Sequence, residues 1–97
     1  MAKKTTRTRA VDPVALFKVL ADHHRYQVIM LLHKNPKGLF VGDLAERVEV
    51  NSSAMSHLLA LLLGERVVVR VEEGRSVRYI LAQTPTSRAI TRIVRAP

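Results

Sequence analysis

Four histidines, two acidic clusters and a scatter of arginines are the side chains able to do chemistry in this chain, and their spacing decides which chemistry is open to them. His23, His24, His33 and His57 have no cysteine to assist them. A metal centre needs three or four converging donors. Only His23 and His24 are close in sequence, and adjacent helical residues point about 100° apart, so they do not chelate together unaided. Asp43, Glu46 and Glu49 read as the first turn and solvated face of a helix, and Glu72 with Glu73 as the tip of a hairpin. No Ser-His-acid order, glycine-rich phosphate loop or paired buried carboxylate is present, so no enzymatic activity is expected. The absence of cysteine removes disulfides, thiolate metal sites and thiol redox switches together. No metal and no cofactor are expected.

Charge narrows the partners. Sixteen Lys and Arg face eight Asp and Glu, for a net charge of +8 and a pI near 10.9, which points to a polyanion, nucleic acid first and an acidic membrane surface second. The longest apolar run, Leu58 to Leu63, falls far short of the roughly 20 residues that span a bilayer. Arg88 to Arg95 lacks the aromatic anchors of a membrane-surface helix. Met1 to Arg9 is basic, with no apolar segment before Asp12, and so does not read as a signal peptide. A soluble, cytoplasmic chain with no membrane partner is expected.

The elements that must position these side chains centre on Leu39 to Leu63. Leu44, Ala45 and Val48 repeat at helical spacing, Glu49-Val50-Asn51 breaks that helix, and Asn51-Ser52-Ser53 offers caps for the next. Stepping 100° per residue puts Met55, Leu59, Leu62 and Arg66 in one arc, with Leu58 and Leu63 at its edges. Ser53, Ser56, His57, Ala60 and Gly64 then face outward, a small polar face suited to a DNA major groove. Val67 to Val71 and Val77 to Leu81 form two β-branched runs joined by Glu72-Glu73-Gly74-Arg75-Ser76, a hairpin carrying Arg70, Arg75 and Arg78. A helix-turn-helix followed by a basic hairpin is the sequence form of a winged helix: mainly α, with one β-hairpin as the wing.

The flanks fit one small domain over residues 12–97, preceded by a flexible basic arm over residues 1–11 whose charge could meet phosphates. Asp12-Pro13 starts a first helix with Val14, Phe17, Leu20 and Ala21 on one face. Asp22 caps a second, whose apolar stripe is Tyr26, Ile29, Met30 and Leu32, with Val28 and Leu31 at its margins. Leu39-Phe40 is expected to pair at the base of the wing. Thr84-Pro85 opens a last helix with Ala89, Ile90, Ile93 and Val94 apolar, and Arg88, Arg92 and Arg95 at i, i+4 and i+7 on another face.

Leu20-Ala21-Asp22-His23-His24-Arg25, then VGDLAERVEVNSSAMSHLL over 41–59, then Arg66-Val67-Val68, then EEGRSVRYIL over 72–81, resembles the ArsR/SmtB family of dimeric winged-helix transcriptional repressors. The likeness covers roughly Val14 to Leu81. It implies a homodimer on an imperfect inverted repeat of double-stranded DNA, released when an effector binds. It also implies dimerisation through the terminal helices, residues 12–21 and 84–96, with Phe17, Ile90 and Ile93 buried across the interface. The family's thiolate site falls where this chain has Phe40 and Gly42, which cannot ligate. Its carboxylate-imidazole site on the last helix meets only Thr, Ser and Arg, whose charge opposes a divalent ion. The effector is left open: a small organic ligand, an unfamiliar signal, or none, the chain then acting constitutively or under a partner's control.

Base readout is expected from Ser52, Ser53, Ser56, His57 and Ala60, and backbone contacts from Arg66, Arg70, Arg75 and Arg78. Arg25 is expected in a structural ion pair or carbonyl contact, with Asp43 or Glu46 as partners. Leu61 falls outside the core arc. That leaves a rival reading, a winged-helix interaction module docking on a partner through the Leu58 to Leu63 face.

Overall fold

Four of the five helices among the described residues start where a side-chain oxygen takes up first-turn N–H groups that have no helical partner. In the computed structural model, which describes residues 11–95, Asp12 Oδ1 accepts from the N–H of Val14 at 3.1 Å, opening α1 (Pro13–Leu20). Asp22 Oδ1 accepts from His24 at 2.7 Å and Arg25 at 3.2 Å, opening α2 (His23–Lys34). A short strand β1 (Leu39–Phe40) runs directly into α3 (Val41–Val48). Asn51 Oδ1 accepts from Ala54 at 2.7 Å to start α4 (Ser52–Gly64). Strands β2 (Val68–Glu73) and β3 (Ser76–Leu81) follow, then α5 (Pro85–Val94), capped by Thr84 Oγ1 accepting from Ser87 at 3.2 Å. The expected basic arm lies outside the described residues except for Val11.

Both helices of the helix-turn-helix end in the same way. Glu49 after α3 and Arg66 after α4 take left-handed φ values of 65° and 62°. The next residue then reaches back five positions, Val50 N–H to Ala45 O at 3.0 Å and Val67 N–H to Leu62 O at 2.9 Å. This is a Schellman closure with a non-glycine residue at the strained position and an apolar residue behind it, Val67 being fully buried. The expectation that Arg66 continues the buried arc of α4 fails for this reason: the helix stops at Gly64, and Arg66 turns out to solvent.

The sheet is antiparallel with order β1-β3-β2, Leu39 opposite Tyr79 and Val68 opposite Leu81. The hairpin is tighter than the five-residue turn expected. Its strands run to Glu73 and from Ser76, leaving only Gly74-Arg75 between them. Gly74 has φ +61° and Arg75 is not in the left-handed region, the pattern of a type II′ turn. Glu72 and Glu73 therefore lie in β2 rather than in the turn.

The core gathers Val19, Val28, Ile29, Leu44, Met55, Leu59, Leu62, Val67 and Ile90, each wholly buried. Val28, expected at the margin of α2, sits at its centre. On α1 the inward residues are Ala15 and Val19, whereas Val14 and Phe17 are 66% and 70% exposed, so the face read as apolar from sequence points outward. Ile90 is also corrected. At 0% exposed inside a single chain it has no surface left to bury against a second copy, unlike Ile93 at 50%. Two buried hydroxyls fix α5 in place: Ser87 donates to Val67 O at 3.1 Å, and Thr86 Oγ1 accepts from the Asp12 N–H at 3.1 Å. No buried side-chain polar atom among the described residues lacks a partner.

Candidate nucleic-acid interface

Burial along α4 divides it as its sequence does. Met55, Leu59 and Leu62 are fully buried, while Ser52, Ser53, Ser56, His57 and Ala60 are all exposed. The inward residues pack on α3 and β2, and the free side carries hydroxyls, an imidazole and small groups. Such a face lets a helix enter a groove about 12 Å wide without steric conflict and offers donors and acceptors to base edges.

The wing arginines are less free than their sequence suggests. Arg78 donates from Nε and Nη2 to the two carboxylate oxygens of Glu73 at 3.1 and 2.5 Å, and from Nη1 to the Lys37 carbonyl. Arg70 is paired with Glu72 at 2.5 Å. Arg75 at the turn and Arg66 at the end of α4 are exposed, and neither meets an acid among the described residues. The hairpin thus presents two committed arginines and one open one.

Arg25 fills the structural role expected of it with different partners. Its guanidinium donates to the Lys18 carbonyl at the end of α1 and lies 3.8 Å from Asp22. Burial alone would raise the Asp22 carboxyl. The backbone N–H groups of Arg25 and His24, aided by the Arg25 charge, outweigh it and hold the carboxyl below its ordinary range.

Leu61 is not exposed. Together with Leu58 it is half-buried against the core and floors an open groove of about 380 Å³ between α2 and α4, with His24 and His57 at its rim. Leu63 also packs on the core. Of the rival docking face from Leu58 to Leu63, Leu59 and Leu62 are fully buried, and Leu58, Leu61 and Leu63 keep only part of their surface free. The rings of His23 and His24 lie 6.1 Å apart on α2, His33 is at the other end of that helix and His57 is on α4. Among the described residues no three His, Asp or Glu side chains converge as a metal site would require. No helix among them is long and apolar enough to cross a membrane.

A helix-turn-helix with its second helix open on the polar side, followed by a two-residue hairpin on the same sheet as β1, defines the winged helix-turn-helix class. No family model matches the chain. It is 37% identical over 71 residues to the transcriptional activator HlyU of Vibrio cholerae, which is 73% of this chain and 64% of that protein. It is 39% identical over 74 residues to a transcriptional repressor SmtB homolog of Synechocystis, 76% of this chain and 54% of that protein. The chain thus spans between about half and two thirds of the length of these relatives. The solved structure of HlyU from Vibrio cholerae superposes with a TM-score of 0.75 at 31% identity, covering 97% of this chain and 96% of that one. The chain belongs to the ArsR/SmtB family of winged-helix transcriptional regulators.

Proposed function

We propose that the chain is a homodimeric DNA-binding regulator that acts in the cytoplasm as a repressor, occupying a promoter through an inverted-repeat operator. The observation that carries this reading is the free polar face of α4. In the proposed complex Ser52, Ser53, Ser56, His57 and Ala60 meet base edges, and Arg66 and Arg75 meet phosphates directly. Arg70 and Arg78 join them by exchanging Glu72 and Glu73 for phosphate oxygens. The dimer forms through residues 12–21 and 84–96, where Val14, Phe17 and Ile93 leave apolar surface on α1 and α5. A two-fold then sets the two α4 helices about 34 Å apart, one turn of B-DNA. Catalysis has no part in this reading.

The relatives show that one such scaffold serves both signs of control, since one is named an activator and the other a repressor.

The test is fluorescence anisotropy on a labelled duplex, comparing the wild type with Ser53→Glu/Ser56→Glu. Two carboxylates on the reading face, set against phosphates, are expected to weaken binding at least about tenfold while leaving helix content unchanged. Equal affinity would show that α4 is not the reading element.

A further inference from the structure

Among the described residues, a concentration of positive charge lies on α5, on the side that neither the core nor the proposed dimer face uses. Arg88, Arg92 and Arg95 fall within about 60° of one another around the helix, roughly opposite Ile90 and about 100–160° from Ile93. They line an open cavity of about 420 Å³ closed by His33 from the last turn of α2 and by Leu32 and Leu81. His33 and Arg95 also border a second cavity of about 460 Å³, which continues past Lys34 toward Tyr26 and Met30.

No Asp or Glu lines either cavity. Among the described residues every salt bridge lies elsewhere, and no side chain of Arg88, Arg92 or Arg95 makes a hydrogen bond to any of them. Three guanidiniums at helical spacing repel one another, and nothing within the described fold compensates them. Arg25, Arg70 and Arg78 meet carboxylates, whereas Arg66 and Arg75, like the three on α5, meet none among the described residues. A concave site with convergent planar donors and an apolar floor has the size and chemistry of a small-ligand pocket.

We propose that this α2–α5 groove binds a small organic anion, its phosphate or carboxylate head held by Arg88, Arg92 and Arg95 and its apolar body lying along Leu32, Leu81 and the Tyr26–Met30 extension. The groove is not a continuation of the DNA face. The last helix packs on α1 and α2, whereas α4 packs on α3 and β2. The site deepens the regulator reading by supplying an effector class, but the binding itself does not depend on that reading.

Isothermal titration calorimetry of the full chain, without DNA and at near-physiological salt, tests it with pyrophosphate and citrate as probes. One anion per chain is expected to bind saturably, and the tighter of the two names the head group. Arg88→Gln/Arg92→Gln, both exposed positions, is expected to weaken that binding at least about tenfold. Lys37→Gln/Arg47→Gln removes the same charge elsewhere, and at that salt it is expected to leave affinity within about twofold. Failure of both anions to saturate, or an equal loss in the Lys37/Arg47 variant, overturns the site. A chain that binds duplex DNA but neither anion sinks this inference alone and leaves the regulator reading standing.

Discussion

Arg78 and Glu73 grip each other near the tip of the wing through two contacts, 3.1 and 2.5 Å, while the same guanidinium also holds the Lys37 carbonyl ahead of β1. Arg78 is thereby neutralised within the wing, and Glu72 does the same for Arg70 one step along, leaving Arg75 open. Exposed pairs of this kind contribute about 0–1 kcal/mol to stability, so they are cheap to exchange for phosphates. Glu72→Gln/Glu73→Gln is therefore expected to tighten DNA binding and to steepen its salt dependence by up to about 3.6 in the log-log slope of the dimer, at roughly 0.9 for each of its four freed arginines. Anisotropy titrations from low to moderate salt read both quantities. A weaker complex would mean that the carboxylates position the arginines rather than compete for them.

Gly38 is required where it stands. It has φ +98°, and a Cβ there would sit 2.6 Å from Ile80 Cγ2 and 2.8 Å from the Tyr79 carbonyl oxygen. The backbone oxygen cannot move without breaking the pairing of β1 to β3. Gly38→Ala is expected to destabilise the fold by about 2 kcal/mol or more, a fall in Tm of roughly 10 °C for a domain of this size. A melt within 2 °C of the wild type, below about 0.5 kcal/mol, would show that β1 is free to shift.

Ile90 and Ile93 lie three residues apart on α5 with opposite duties. The first is wholly buried in its own chain and the second half-exposed. Ile90→Ala is expected to cost about 2–5 kcal/mol in urea unfolding. Ile93→Ala, alone or with Phe17→Ala, is expected to leave the fold of each chain intact and shift sedimentation velocity profiles toward monomer. Equal effects of the two substitutions on chain stability would contradict the assignment of separate faces.

Asp22 couples the entrance of α2 to pH. Its folded-state carboxyl is held below the ordinary value of 3.8, so it binds its proton less readily when folded than when unfolded. The stabilisation it contributes is complete above the unfolded value and is lost as pH falls below about 4 through the folded value. Asp22→Ala is expected to cost about 1 kcal/mol at neutral pH and progressively less in acid, read from urea unfolding at several pH values. A cost independent of pH across that range would mean that the charge of the cap contributes nothing.

Much of this architecture is legible in the residues. Asp12-Pro13, Asp22, Asn51 and Thr84-Pro85 each mark a helix start that the structure has, because capping depends on local contacts alone. The buried side of α4 follows from spacing, since Met55, Leu59 and Leu62 are too apolar to face water. What escaped was decided by tertiary contact. The outward turn of Val14 and Phe17 could not be told from a core stripe, because periodicity gives a face and not its direction. Arg66 carries no glycine to announce its left-handed φ. The pairing of Arg78 with Glu73 depends on a strand register that the longer expected turn would have altered, and that of Arg70 with Glu72 on both lying in β2. The arginines of α5 stood out in sequence, but the cavity they border needs α2 beside them.

Selection of bound duplexes from a random DNA pool at physiological salt tests the central claim most directly. Two copies of one chain reading DNA through α4 predict enrichment of a pseudo-palindrome with half-site centres about 10 base pairs apart, and loss of that enrichment in Ser53→Glu/Ser56→Glu. A pool that stays random, or one enriched equally by the wild type and that variant, would contradict it.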